Sequence, residues 1–101
     1  MKIPKKIRII GFDWQIKESQ AIADEGNCFG STHTQNQVIY LEPKAPLQKK
    51  EQVFFHEMLH ALWWQQGLFQ RFKDKKEIEE EIVTTLSQGL YQVLKDNNLL
   101  K

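Results

Sequence analysis

The segment from Val53 to Trp64 constrains the fold of this chain more than any other part of the sequence. Nine of its twelve side chains are apolar, and the other three are His56, Glu57 and His60. A helix over this segment has almost no polar stripe, so it must be buried on nearly all sides. Buried imidazole and carboxylate groups cost free energy unless they have partners. The three polar side chains therefore indicate a specific site on a buried helix.

The spacing of these polar residues is that of a metal site. His56 and His60 stand four positions apart, and Glu57 directly follows the first histidine. On a helix, residues i and i+4 share one face about 5–6 Å apart, so two imidazoles can bind one Zn²⁺ ion. Glu57 would lie beside the open coordination position, where it can accept a proton from water. We predict that His56 and His60 bind zinc and that Glu57 is the general base; the alternative is a histidine pair that faces solvent or hydrogen-bonds within the core.

A catalytic zinc site usually has a third protein ligand. No histidine follows His60, and Trp64 and Gln66 occupy the nearby positions where a zinc site with a short spacer has its third histidine. The remaining option is a carboxylate from a second predicted helix, from about residue 76 to residue 95, which can turn back alongside the first. The candidates in its first turns are Glu79, Glu80 and Glu81.

The residues alone leave the choice among these glutamates open. On a helical wheel, Glu79 lies nearest the centre of the apolar face of the second helix. Acidic residues in the first turn of a helix also interact favourably with the helix dipole without binding a metal. At least one of the three glutamates must have only this role. The apolar face consists of Ile82, Leu86, Leu90 and Val93.

The part of the chain before residue 44 predicts strands. Residues 6–10 and 12–17 are β-branched or alternate apolar with polar, and Gly11 between them predicts a hairpin. A short strand fits within 28–34, and another covers 37–41. From about Gln48 the pattern becomes helical, with Gly67 as the C-terminal cap and residues 70–77 as a charged loop. We predict one α+β domain over residues 1–101, with a small, mostly antiparallel sheet packed on two principal helices.

The charge balance excludes several classes of partner. Fourteen Lys and Arg residues stand against thirteen Asp and Glu, so the formal net charge is +1. Nucleic-acid and membrane-surface binding normally require a concentrated basic excess, and we expect neither. The single cysteine, Cys28, allows no disulfide within the chain, and we expect it to be a small packed residue. No signal peptide or membrane span is apparent, so we expect a cytoplasmic protein.

A helix with His56-Glu57-Met58-Leu59-His60, followed by a glutamate on the next helix, resembles the gluzincin branch of the zincin metallopeptidases. The whole chain is similar to the very small zincins of phages and mobile elements, relatives of the ImmA/IrrE-like metallopeptidases and minigluzincins. The similarity includes Val38-Ile39-Tyr40-Leu41 and the ending 86–97. The resemblance implies a zincin-like fold, hydrolysis of a peptide or protein substrate, and an edge strand that binds the extended substrate.

The glutamate pattern of that family fits Glu80, which is followed by Val83, Leu86 and Ser87. We therefore predict that His56, His60 and Glu80 bind Zn²⁺, with Glu79 as the second candidate and Glu81 as the last. Peptidases of this type often add a donor that stabilises the oxyanion. The candidates for that donor are Tyr91, Tyr40 and His33.

Two further expectations complete the prediction. Trp63 is expected in the core and Trp64 at the wall of the metal pocket. The short chain favours narrow substrate specificity and leaves the oligomeric state open. The alternative function is a zinc-stabilised module of a phage or mobile element that binds or regulates a partner without catalysis.

Overall fold

The computed structural model describes residues 1–19 and 29–100, and it combines one sheet with three helices. Two of the three strand pairings in the sheet are antiparallel, so the predicted α+β class with a mostly antiparallel sheet is confirmed. The elements are β1 (Lys6–Ile9), β2 (Phe12–Glu18), β3 (Gly30–His33), β4 (Val38–Leu41), α1 (Leu47–Gln65), α2 (Leu68–Arg71) and α3 (Lys76–Asp96).

The predicted hairpin at the amino end is present. β1 and β2 pair antiparallel with Ile9 opposite Phe12, and the two residues between them, Ile10 and Gly11, have φ angles of 48° and 82°. A two-residue turn with positive φ at both positions matches the right-handed twist of the flanking strands. Gly11 adopts this conformation without the steric cost that a side chain adds.

The strand order β1-β2-β4-β3 places β3 at one edge of the sheet. β3 pairs antiparallel with β4, whereas β2 and β4 run parallel. This order brings β3 against α1, the helix with the two histidines. Cys28 lies within residues 20–28, which are outside the described residues, so the expectation for Cys28 stays a prediction.

One face of the sheet packs on α1 to form the core. Trp14 and Ile39 from the sheet are fully buried, as is Ala61 from α1. The indole N–H of Trp14 donates a hydrogen bond to Oε1 of Gln65 at 3.1 Å, which satisfies the one polar atom of that side chain. Because α1 also packs against α3, it is covered on most of its circumference, as its composition predicts.

Helix α1 ends where the sequence predicts. Gly67 has φ 79°, and its N–H donates to the carbonyl oxygen of Trp64 at 3.0 Å, which is the geometry of a glycine that terminates a helix. The prediction of a loop over residues 70–77 is wrong at its start, because residues 70 and 71 are helical. Residues 68–71 form the short helix α2, because the chain resumes a helical turn directly after the left-handed glycine.

Helix α3 packs with a face that its apolar stripe does not predict. Val83, Ser87 and Tyr91 are buried against α1. The large apolar side chains lie on the other side of the helix, 39% to 58% exposed to solvent. We call these four residues the α3 outer face: Ile82, Leu86, Leu90 and Val93.

A buried ionic cluster connects the amino end with both long helices. Glu51 on α1 is 3% exposed; its Oε2 lies 2.8 Å from the Met1 ammonium nitrogen. The Tyr91 hydroxyl donates to Oε1 of Glu51 at 2.7 Å, and Nζ of Lys95 donates to the Tyr91 oxygen at 3.0 Å. The free-energy cost of burying the Glu51 carboxylate is therefore offset by two close donors, the Met1 ammonium and the Tyr91 hydroxyl. Within the described ranges, no helix has the length and apolar character needed to cross a membrane.

Candidate metal centre

Helix α1 places the two histidines of the motif side by side. His56 and His60 are one turn apart, with ring centroids 4.9 Å apart and ring planes inclined by 70°. Their Nε2 atoms face each other at 3.2 Å. Both side chains are largely shielded from solvent, with exposures of 23% and 17%. The spacing thus produces two convergent imidazole nitrogens.

Helix α3 adds a carboxylate to this pair. Oε1 of Glu80 lies 3.0 Å from Nε2 of His56, and Oε2 of Glu80 lies 3.0 Å from Nε2 of His60. The ligand atoms of the three residues all lie within 4.8 Å of one another. These are the three residues that the sequence predicts as zinc ligands, and the fold brings them together.

The dimensions of this cluster fit a zinc ion. With Zn–N distances of about 2.0–2.1 Å, two nitrogens of a tetrahedral site are about 3.3 Å apart. The Nε2 atoms of His56 and His60 are 3.2 Å apart. Two imidazoles and one carboxylate are also the donor set of catalytic zinc sites that keep a fourth position for water or substrate. The cluster of His56, His60 and Glu80 is called the metal cluster below.

Glu79 lies beside the metal cluster and not within it. Its Oε2 is 2.6 Å from Nδ1 of His60, on the opposite side of the ring from Nε2. Because a carboxylate only accepts hydrogen bonds, this contact favours the tautomer of His60 with its proton on Nδ1, which leaves the lone pair of Nε2 for a metal. Glu79 therefore orients a candidate ligand, whereas Glu81 is exposed and is not part of the cluster.

Glu57 is buried next to the histidines, with 9% exposure. Its Oε1 accepts a hydrogen bond of 2.8 Å from Oγ1 of Thr32, and the same hydroxyl lies 3.0 Å from the Glu57 carbonyl oxygen. Burial raises the pKa of the Glu57 carboxyl, and the hydrogen bond from Thr32 and the nearby His60 only partly offset this effect. A carboxyl with a raised pKa accepts and releases protons more readily near neutral pH.

Sequence reasoning missed Thr32. The residue lies on β3, far from the motif in the chain, and only the packing of β3 on α1 brings it to Glu57. That packing depends on Gly30, where a Cβ atom would collide with Cγ1 of Val53 and lie 3.1 Å from Cγ of Glu57. The one available signal was a glycine at the start of a short strand, which marks a close approach of backbone to another element.

Two cavities meet at the metal cluster. The first has a volume of about 440 Å³ and extends from His56, His60 and Glu80 along α1 to Lys49. The second has a volume of about 350 Å³ and lies on the other side of His60. Glu57 and His60 line both, so the cluster lies between two spaces that a bound molecule can occupy. The second cavity is walled by Trp63, Trp64, Phe69, Thr32, Thr34 and Glu79.

The two tryptophans lie where the sequence predicts, Trp63 in the core and Trp64 at the wall of the second cavity. Trp64 stacks on Phe69 with centroids 3.8 Å apart and lines the cavity, as predicted. Trp63 is buried, as expected of a core residue, and it also lines the cavity. Both tryptophans thus contribute to the surroundings of the metal cluster.

None of the three predicted oxyanion donors lines either cavity. The Tyr91 hydroxyl is engaged by Glu51 and Lys95. The ring of Tyr40 packs edge-on against His33 at 4.9 Å. His33 is the last residue of strand β3, and its Nε2 lies 3.1 Å from Oγ of Ser31.

Comparisons with known proteins add no assignment. No protein-family model, no curated protein and no solved structure matches the chain. The resemblance to small zincins therefore stays a prediction from the sequence motif.

Proposed function

We propose that this protein is a zinc-dependent peptidase of the gluzincin type that hydrolyses peptide bonds. The observation that carries the proposal is the convergence of His56, His60 and Glu80 within 4.8 Å. Buried Glu57 lies alongside them. Two imidazoles, a carboxylate ligand and a separate carboxyl base are the parts that metal-assisted peptide hydrolysis requires.

Each side chain has a distinct role in this proposal. Bound zinc supplies a Lewis acid that polarises the peptide carbonyl and makes water acidic enough to ionise near pH 7. His56, His60 and Glu80 hold the ion, and Glu79 fixes the tautomer of His60 through its 2.6 Å contact with Nδ1. Glu57 accepts the proton of the attacking water and then donates it to the leaving amine.

The position of β3 supports a peptide as the substrate. Among the described strands, β3 pairs only with β4, so its other edge has backbone N–H and C=O groups available. Gly30 at its start lines the first cavity beside the metal cluster. An extended peptide can add to such an edge as a further strand, with its scissile bond at the metal.

The first test is the zinc content of the purified protein and of its variants. We expect one zinc per chain in the wild type and a loss of zinc in His56→Ala, His60→Ala and Glu80→Ala. His33→Ala, at an exposed histidine that does not line the cavities, is the matched control and keeps the metal. A wild-type zinc content no higher than that of the histidine variants would exclude the metal site.

The second test separates hydrolysis from metal binding. Glu57→Gln preserves the shape of the side chain and removes its basicity, so this variant should keep zinc and lose cleavage of a peptide library. The general base contributes about 10²–10⁴-fold to such reactions. Zinc-dependent cleavage by Glu57→Gln at the wild-type rate would exclude the base role.

The exposed α3 outer face favours a second candidate function, that of a zinc-stabilised module that binds a protein partner. Contiguous apolar side chains on a surface mark interaction sites in many proteins. In that case a chelator lowers the melting temperature, no peptide is cut at any pH, and Leu86→Asp abolishes partner capture while Glu57→Gln does not. Peptide cleavage that is unaffected by Leu86→Asp would favour the peptidase.

A further inference from the structure

The first cavity connects the metal cluster with a lysine two helical turns away. Lys49 and His56 both line it, seven positions apart on α1. Seven residues correspond to nearly two turns, so both side chains lie on one face of the helix, about 10 Å apart along its axis. Lys49 is the only Lys or Arg that lines either cavity at the cluster, within the part of the chain that the structure describes.

The ammonium group of Lys49 has no carboxylate partner among residues 1–19 and 29–100. It lies 4.8 Å from the ring centroid of Phe29, a contact that attracts a cation without neutralising its charge. The neighbouring Lys50 differs, because its Nζ lies 2.8 Å from Oε1 of Glu18. Lys49 is therefore positioned by an aromatic ring, and none of the described carboxylates neutralises the charge that it presents to an anion in the cavity.

The charges along the first cavity are separated. Glu57 and Glu80 lie at the end with the histidines, and Lys49 lies at the other end, with the uncharged amides of Gln52 and Gln88 also on the wall. A ligand that spans the cavity thus meets the metal cluster at one end and a single positive charge at the other. An extended peptide advances about 3.3 Å per residue, so 10 Å corresponds to about three residues.

We propose that Lys49 determines substrate specificity by binding a carboxylate of the peptide about three residues from the scissile bond. This inference rests on the proposed function, and it adds the substrate class: peptides with Asp, Glu or a terminal carboxylate at that position. A lysine suits this role because its ammonium is a compact charge on a flexible stem, which tolerates a carboxylate from either source.

The experiment uses zinc-loaded Glu57→Gln protein and measures binding, so that its result does not depend on turnover. The probes are fluorescent peptide hydroxamates, in which the hydroxamate binds the metal and fixes the register of the peptide. One series of peptides extends from one side of the hydroxamate and a second series extends from the other side. In each series, Glu or Gln is placed in turn at each of the first four positions from the hydroxamate. We expect one series to show about 3–10-fold tighter binding for Glu than for Gln at about the third position, and less at high salt.

Charge reversal provides the decisive comparison. In the Glu57→Gln background, Lys49→Glu should lose the preference for Glu and bind the peptide with Lys at that position more tightly. Lys49→Gln should show no preference. Lys17→Glu carries the same change of charge on the exposed part of β2 and should keep the wild-type preference. A further peptide ends at that position and carries a free terminal carboxylate there without a Glu side chain. Its affinity shows whether Lys49 binds a side-chain carboxylate or the terminal carboxylate.

The outcomes are separable. Equal binding of the Glu and Gln peptides at every position, or an unchanged preference in Lys49→Glu, would overturn the role of Lys49 even if the wild type cleaves peptides. A preference that depends on Lys49, in a protein that cuts no peptide, would support the anion site and overturn the peptidase. Hydroxamates that fail to bind with zinc present would overturn both.

Discussion

The carboxylate of Glu79 lies 2.6 Å from Nδ1 of His60, behind the ring as seen from the metal cluster. The contact joins α3 to α1 and leaves Nε2 of His60 directed at Nε2 of His56, 3.2 Å away. A carboxylate behind a ligand histidine fixes its tautomer and increases its basicity. Glu79 and Glu80 thus contact the same imidazole at different nitrogens. Glu79 lies at Nδ1 as the orienting carboxylate, and Glu80 lies at Nε2 as a candidate metal ligand.

Loss of the Glu79 contact should weaken zinc binding without removing a ligand. We expect Glu79→Ala to lower the zinc affinity about 10–100-fold, the usual effect of deleting such an orienting carboxylate. Competition with a chromophoric chelator measures this affinity. Glu81→Ala removes an exposed glutamate from the same helical turn and should leave the affinity unchanged. Equal affinities for the two variants would show that Glu79 does not orient His60.

Removal of the Thr32 hydroxyl should change the pH dependence of hydrolysis. The hydrogen bond from Thr32 stabilises the ionised form of Glu57 and so lowers its pKa; Thr32→Val should raise that pKa further. The acidic limb of the pH–rate profile then moves to higher pH, with a loss of up to about tenfold in kcat/KM, short of the 10²–10⁴-fold of the base itself. Thr34→Val, in the same cavity, is the control and should leave the profile in place.

The close approach of β3 to α1 makes a prediction about stability. Gly30→Ala places a methyl group against Val53 and Glu57, so we expect a loss of about 1–3 kcal/mol in the free energy of unfolding from overpacking. Gly89→Ala adds the same methyl group to α3, where no atom lies within 4 Å, and should gain about 0.5–1 kcal/mol. Urea denaturation measures both, and a stabilising Gly30→Ala would contradict the packing.

The Glu51 cluster should make the protein sensitive to acid. Burial acts to raise the pKa of the Glu51 carboxyl, but hydrogen bonds from the Met1 ammonium and the Tyr91 hydroxyl outweigh it and hold the pKa below its usual value. A lowered folded-state pKa contributes stability above the ordinary glutamate pKa of about 4.3, and that stability is lost as the pH falls through the folded-state pKa.

The corresponding variant is Glu51→Gln. It leaves the part-buried Met1 ammonium without its counter-charge, so we expect a loss of about 3 kcal/mol at neutral pH and a smaller difference from the wild type in acid. Thermal melts between pH 3 and pH 7 measure this change. Glu18→Gln, in an exposed ion pair with Lys50, is the control and should cost less than about 1 kcal/mol. Equal effects of the two substitutions would contradict a special role of the buried cluster.

The choice between Glu79 and Glu80 shows how far sequence reasoning reaches. A helical wheel favours Glu79, since it assumes that the apolar stripe of α3 faces the core. In the structure that stripe is exposed, and the packed face is formed by Val83, Ser87 and Tyr91. Glu80 precedes Val83 and Ser87 by three and seven positions, so it shares their face and meets the histidines. The family pattern that selects Glu80, followed by Val83, Leu86 and Ser87, was the better guide to this contact.

The sequence by itself determined the local features of this protein. Three of these features follow from backbone geometry over a few residues: the hairpin around Gly11, the end of α1 at Gly67, and the placement of His56 and His60 on one face of α1. The residues alone left the choice between Glu79 and Glu80 open, and the tertiary structure decided which of them meets the histidines. Only the tertiary structure showed that Glu79 contacts His60 from behind and that Thr32 supports Glu57. These contacts join distant parts of the chain, and they depend on the rotation of α3 about its axis and on the approach of β3 permitted by Gly30, which no local pattern encodes.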